Sequence, residues 1–276
     1  MTTERLDEYA ARILAAADAG RSLAPLTSGD PAFGLDDAAR VALAVARRRI
    51  DRGERPMGWK IGFTNRTIWD EYGVHAPIWG RMYHTTVAPI PEGPVSLGRL
   101  AEPRIEPEIV LRIGRTPEPG MAAGDLMGCV DGVAHGFEIV QSLFPAWRFR
   151  AADTVAAFAL HGALWHGPFV EVGPSDAERW RADLERFSIV LSRDGAEVDR
   201  GHAADVLDGP LHALAHAVRG LAQAPWSMRI EAGDLVTTGT VTRAFPVAPG
   251  QRWTTRVEGL GVAGIALAVA PFVTAS

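Results

Sequence analysis

The sequence predicts an α+β fold, with a helical N-terminal region over residues 1–55 and one strand-dominated body over residues 56–276. Three observations lead to this reading. Apolar residues recur at helical spacing through the opening stretch. From "MGWKIGFTN" (57–65) onward, short apolar runs alternate with glycine and proline. Strand-like and helical stretches do not alternate regularly, which argues against a doubly wound parallel sheet.

Leu6, Tyr9, Ile13 and Leu14 follow helical spacing, and Gly20 supplies a stop. The turn-rich "SLAPLTSGDPAFG" leads to a second helix that starts near Asp36-Asp37, carries Val41, Leu43 and Val45, and ends near Gly53 and Pro56. Beyond it, strand chemistry is read in "TTVAPI", "EIVLRI", "FEIV", "GALWHGPFVEV", "FSIVLSRDGAEVDRG", "DLVTTGT" and "GVAGIALAV", with Asp194-Gly195 as a hairpin turn. Helical patterns are read at "RTIWDEYG", "AAGDLMGCVDGVAHG" and "PLHALAHAVRGLAQ". There is no internal repeat and no low-complexity segment.

Composition narrows the function classes. A net charge of −5 with interspersed signs offers no surface for nucleic acid or for an anionic membrane. No stretch approaches a membrane span, and the N-terminus lacks the apolar core of a signal peptide. A single cysteine, Cys129, excludes an internal disulfide and fits a reducing cytosol. The expectation is a soluble cytoplasmic protein. There is no phosphate-binding glycine loop, no G-x-S-x-G elbow and no HExxH helix.

The chemistry-bearing residues are glutamates in apolar runs. In "RIEPEIV" (104–110), Glu106 and Glu108 share one face of a strand. An edge strand with a solvated face explains them, and Pro107 supports an edge or a bulge; a cation held between them explains them equally. Glu138, in "HGFEIV", is a third such carboxylate. Three oxygen donors suit Mg²⁺ or Mn²⁺, whereas pairing with an arginine or capping a turn accounts for Glu138 without a metal. Lys60 in "GWKIGF" lies between two glycines that permit close approach of a ligand, or it extends to solvent as lysines commonly do. His212 and His216 read as a solvated pair on a superficial helix. In "GDLVTTGTVTRAFPV", the turn at Gly239-Thr240 offers N–H groups and hydroxyls to a carboxylate, or is only a turn.

Taken together, "GWKIGFTN", "EPEIV", "FEIVQS", "AADTVA" and "GDLVTTGT…VAPG" with its "GLG" finish resemble the 2-oxopent-4-enoate hydratase/4-oxalocrotonate decarboxylase family of the fumarylacetoacetate hydrolase superfamily. The resemblance runs along nearly the whole chain. It implies a rolled, mixed β-sheet preceded by helices, and Mg²⁺ or Mn²⁺ held by Glu106, Glu108 and Glu138. Lys60 falls on the family's active-site lysine. It further implies a lyase of aromatic-compound catabolism that hydrates a 2-hydroxy-dienoate or 2-oxo-enoate, with decarboxylation of a 2-oxo-enedioate as the alternative and acylpyruvate C–C hydrolysis third. The expected partners are a small-molecule 2-oxo or 2-hydroxy-dienoic acid, held partly by Gly239 and Thr240, and further copies of the chain in a homo-oligomer.

Two segments depart from the family pattern. Many family hydratases carry an acidic residue in a Pro-Asp-Phe-Gly stretch; here "APIWG" puts Ile78 in its place. A serine-rich run after the Asp-Thr-Val helix start is replaced by "AAFALHG", with Leu160 and His161. The expectation drawn from this is that a buried, neutral His161 faces the metal and replaces the missing carboxylate as general base, against a core histidine bonded to a backbone carbonyl.

Overall fold

The computed structural model describes residues 1–271. Helix α1 (Thr3–Ala19) is capped by the Thr2 hydroxyl and closed by Gly20 in the left-handed region. After the short α2 (Leu26–Gly29), α3 (Leu35–Asp51) has Asp36 and Asp37 in its first turn and Arg48 and Arg49 in its last, which complements the helix dipole. Tyr9 and Ile13 of α1 and Val41 and Val45 of α3 bury against Val140, Val155, Phe158 and Leu160, so the helices share a core with the strand-dominated body.

The remaining elements are β1 (Pro56–Gly62), α4 (Trp69–Tyr72), β2 (Ile78–Tyr83), β3 (Val87–Pro89), β4 (Arg104–Ile113), β5 (Val130–Val140), α5 (Ala151–Ala156), β6 (His161–His166), β7 (Val170–Glu171), α6 (Ala177–Leu184), β8 (Ser188–Arg193), β9 (Ala196–His202), α7 (Pro210–Ala222), β10 (Leu235–Thr240), β11 (Phe245–Pro246), β12 (Arg252–Glu258) and β13 (Ala266–Ala268). A mixed, strongly curled sheet runs in the order β2-β1-β10-β4-β5-β6-β3, with β11 added to β4 and β7 to β5. Its β1–β10 and β3–β6 pairs are parallel and its other pairs antiparallel. A second sheet, β13-β12-β8-β9, contains the hairpin at Asp194-Gly195, where both residues have positive φ as a tight primed turn requires.

One face of the curled sheet carries Trp59, Ile61, Ile109, Leu111 and Val133, packed against Trp180 and Leu184 of α6 and the apolar side of α7. Ile105, Phe137 and Ile139 are covered by Leu191 and Trp253 of the second sheet. Alternation places Lys60, Glu106, Glu108 and Glu138 on the opposite face.

Three local expectations change. β4 is a central strand, flanked by β10 and β5, and pairs with β5 in unbroken register through Pro107, so neither the edge nor the bulge reading of Pro107 holds. The β10 ladder shifts register between Thr237 and Thr240, opposite Ile109, so the irregularity belongs to β10, while Pro107 pairs with Phe137 of β5 without a break. The helical pattern at 122–136 dissolves into a short 3₁₀ turn (Asp125–Cys129) and the start of β5. That strand is buried on both faces and so shows no alternation to distinguish it from a buried helix. α7 is a core helix rather than a superficial one, although His212 is on its exposed side. Among the described residues no helix is long and apolar enough to cross a membrane.

Candidate metal centre

Strand pairing brings the glutamates together. Glu106 of β4 lies directly opposite Glu138 of β5, and Glu108 follows two residues along on the same face. Carboxylate oxygens of Glu106, Glu108 and Glu138 all lie within 4.8 Å of one another. β1 reaches the cluster through β10, with Lys60 in register with Thr237. The Lys60 ammonium stands 3.3 Å from Glu138 Oε2 and 3.7 Å from Glu106 Oε2, and the side chain is only 3% exposed.

With all groups ionised, three carboxylates against one ammonium leave two negative charges in a buried site. Uncompensated burial of that kind is costly. Burial pushes the Glu108 carboxyl well above its usual range, and Glu138 and Glu106 add to the shift. Burial likewise lifts Glu106 to about 7, opposed by Lys60. Glu138 is the exception: burial acts upward, but Lys60 and the His161 hydrogen bond outweigh it and hold the carboxyl low. Burial acts to lower Lys60, yet Glu138, Glu106 and Glu108 more than reverse it, so the ammonium stays charged.

The carboxylate oxygens are unequally satisfied. Glu108 Oε2 accepts from the Gly239 N–H at 2.8 Å, while Oε1 is buried without a partner. Glu138 Oε1 accepts from His161 Nδ1 at 2.7 Å, while Oε2 is buried without a hydrogen bond. Buried carboxylate oxygens are ordinarily satisfied. Here each of the two fully buried glutamates has one oxygen tethered by a hydrogen bond and one without any, that of Glu138 facing only the Lys60 ammonium at 3.3 Å. A divalent cation held by Glu106, Glu108 and Glu138 would engage both free oxygens and offset the residual charge. All-oxygen donors suit a hard ion.

The predicted residues divide in two groups. Lys60, Glu106 and Thr240 line one cleft, together with Phe63, Thr64, Asn65, Ile68, Val140, Trp147 and Leu160. The Gly239 N–H is committed to Glu108, and the Thr240 hydroxyl donates to the Thr242 carbonyl at 2.9 Å. Gly239 is required by its φ of +101° and by contact: a Cβ there would lie 1.7 Å from Thr64 Oγ1. His161 is fully buried behind Glu138, with Nε2 2.9 Å from Thr86 Oγ1. Both of its ring nitrogens are engaged, and burial lowers its pKa despite the adjacent carboxylate. The imidazole therefore stays neutral, with Nδ1 donating to Glu138 and Nε2 facing the Thr86 hydroxyl, which also contacts the Tyr83 carbonyl at 3.1 Å. Ile78 pairs with Gly62 and packs close to the Lys60 side chain.

Sequence reasoning missed Thr86, Thr64 and the cleft wall at Trp147. Threonines at strand ends are too common to signal a role. The Thr64 hydroxyl, buried and without a partner, becomes notable only once its neighbours are known.

Comparison with known proteins accords with this geometry. Residues 77–266 match the family model described as fumarylacetoacetate (FAA) hydrolase C-terminal. The chain is 31% identical over 262 residues to a 4-oxalocrotonate decarboxylase of a Pseudomonas species, covering 93% of this chain and 96% of the relative. It is 31% identical over 258 residues to the 2-hydroxyhexa-2,4-dienoate hydratase of Comamonas testosteroni, covering 92% and 94%. The structure of 4-oxalocrotonate decarboxylase from Pseudomonas putida G7, complexed with magnesium and adipate, superposes with a TM-score of 0.88 at 28% identity over 98% of both chains. The fold recurs in fumarylpyruvate hydrolase from Pseudomonas aeruginosa, solved with Mn²⁺ and pyruvate, at a TM-score of 0.56 and 17% identity over 79% and 90%. By sequence and fold alike, the chain belongs to the fumarylacetoacetate hydrolase family.

Proposed function

We propose that this protein is a divalent-metal-dependent lyase of aromatic-compound catabolism acting on a 2-oxo-enoic acid, and that loss of CO₂ from a 2-oxo-enedioate is the reaction its cleft supports best. The observation that carries the choice is the cleft wall. Beyond Lys60 and Glu106 it is mostly apolar, with Phe63, Ile68, Val140, Trp147 and Leu160 against the polar Thr64, Asn65 and Thr240, and Ile78 stands near Lys60 where many family hydratases carry an acid. Water addition needs a group to activate water; decarboxylation does not. Apolar walls also disfavour a charged distal carboxylate relative to neutral CO₂.

Glu106, Glu108 and Glu138 would hold the cation, Mg²⁺ or Mn²⁺, which when bound supplies Lewis-acid stabilisation to negative charge on a nearby 2-oxo group. Lys60 orients the substrate carboxylate and holds a proton at Nζ. The bond from the chain to the distal carboxylate breaks, CO₂ departs uncharged, and the electron pair moves through the conjugated chain to the 2-oxo oxygen. A proton returned to carbon from Lys60 Nζ completes the product.

Hydration, the reaction favoured from sequence, is the second reading. The orphaned Thr64 hydroxyl and the neighbouring Asn65 in the same cleft supply polar groups able to hold a water. A ¹³C NMR assay with Mg²⁺, 2-oxohex-3-enedioate and 2-hydroxypenta-2,4-dienoate separates the two. CO₂ from the diacid supports decarboxylation, and a 4-hydroxy product from the dienoate without CO₂ supports hydration. Inertness toward both overturns the lyase reading. We infer further that the chain forms a homo-oligomer, a reading supported by Leu35 and Ile50 of α3, which stand 56% and 48% exposed. A monomeric mass by light scattering refutes it.

A further inference from the structure

We propose that His161, anchored on the Thr86 hydroxyl, is a positioning residue that selects which oxygen of Glu138 faces the divalent cation. The inference rests on the metal reading of the three glutamates and concerns how this chain builds the site. A carboxylate rotates readily about its last torsion, so a ligand glutamate needs something to fix its plane. For Glu108 that is a backbone group, the Gly239 N–H. Glu138 has no such donor. His161 Nδ1 donates to Oε1 at 2.7 Å, which leaves Oε2 as the orphan beside Lys60.

The imidazole is itself held. Its Nε2 lies 2.9 Å from Thr86 Oγ1, and Thr86 Oγ1 accepts from the Tyr83 N–H at 3.2 Å. A chain of hydrogen bonds thus runs from the backbone at the end of β2 to the carboxylate. The segment before β6 aims the histidine. Phe158, Ala159 and Leu160 all have left-handed backbone conformations, with φ of 44°, 57° and 62°, uncommon for residues other than glycine. The Phe158 carbonyl presses on Gly80, where a Cβ would lie 2.1 Å from it. This turn lies in the stretch that departs from the family's serine-rich run. His161 and Thr86 do not line the Lys60 cleft; they border a separate polar cleft with Glu54, Arg99 and Gln141. The histidine is therefore placed to act through Glu138 and not on substrate.

The test is Mn²⁺ affinity of the full chain, read by electron paramagnetic resonance, with folding monitored by circular dichroism. His161→Phe should weaken Mn²⁺ binding by roughly 10–100-fold, as loss of an outer partner of a metal ligand typically does. Thr86→Val, which touches neither metal nor ligand, should weaken it by a smaller factor through the loosened imidazole. In His161→Asn the amide nitrogen stands close to the Nδ1 position, so most of the affinity should return. That ranking separates positioning from a general packing role, which has no reason to follow the donor. Folded Phe and Val variants that both bind within twofold of wild type overturn the proposal. If His161→Phe does not fold, Thr86→Val and His161→Asn decide by the same criteria. A wild-type chain that binds no Mn²⁺ at millimolar concentration defeats the metal reading itself, and this proposal with it.

Discussion

Replacing Lys60 with methionine removes the buried cation that contacts Glu138 and Glu106 while keeping similar bulk. At an effective dielectric of about 20, a unit charge pair at 3.3 Å is worth roughly 5 kcal/mol and one at 3.7 Å about 4.5 kcal/mol. Desolvating the ammonium costs several kcal/mol against this, and removal of one partner from a buried pair typically destabilises by about 3–5 kcal/mol. We expect Lys60→Met without metal to lose an amount in that range. Saturating Mg²⁺ should restore much of it, because a ligand at a thousand times its Kd contributes about 4 kcal/mol. The variant site, more negative by one charge, should bind the ion no more weakly than wild type. Turnover should nonetheless be lost, since the group that orients substrate and carries the proton is gone. Urea unfolding followed by fluorescence of the eight tryptophans, with and without Mg²⁺, measures the first two effects. A metal-free variant within about 0.5 kcal/mol of wild type, or one that still turns over substrate, refutes the reasoning.

Gly239→Ala should destabilise by about 2–4 kcal/mol and weaken metal binding, because the new Cβ meets Thr64 Oγ1 and the backbone that donates to Glu108 must shift; thermal melts and Mn²⁺ titration check both. Tyr83→Phe should change the alkaline limb of stability. Burial lifts the Tyr83 phenol to about 12 against an ordinary 10, so its contribution is full below pH 10 and is lost as pH rises through 12, the unfolded chain ionising first. The loss is of the order of 3 kcal/mol for two pKa units, and the phenylalanine variant should not show it; melts from pH 9 to 12 compare the two. An equal alkaline slope in both proteins contradicts that account.

Local periodicity alone determined part of the site. Residues two apart on a strand share a face, so Glu106 and Glu108 are joined whatever the rest of the chain does. The helices α1 and α3 and the Asp194-Gly195 turn were equally legible, since spacing, caps and turn residues act within a few positions. Glu138 and Lys60 were legible as oddities, charged groups within apolar runs, but nothing local says that they meet. Register decides that: Glu138 falls opposite Glu106 across β4–β5, and Lys60 arrives through β1–β10–β4. Where burial covers both faces, as along β5, alternation vanishes and a strand reads as a helix. Pro107 signalled an edge or a bulge, yet it sits within a central strand in unbroken register with β5, and the irregularity lies on β10 opposite Ile109. The direction of His161 was likewise beyond the sequence. Its two hydrogen bonds reach residues 23 and 75 positions away, and which way an imidazole points is set by such distant partners because its own torsions are free until they are in place.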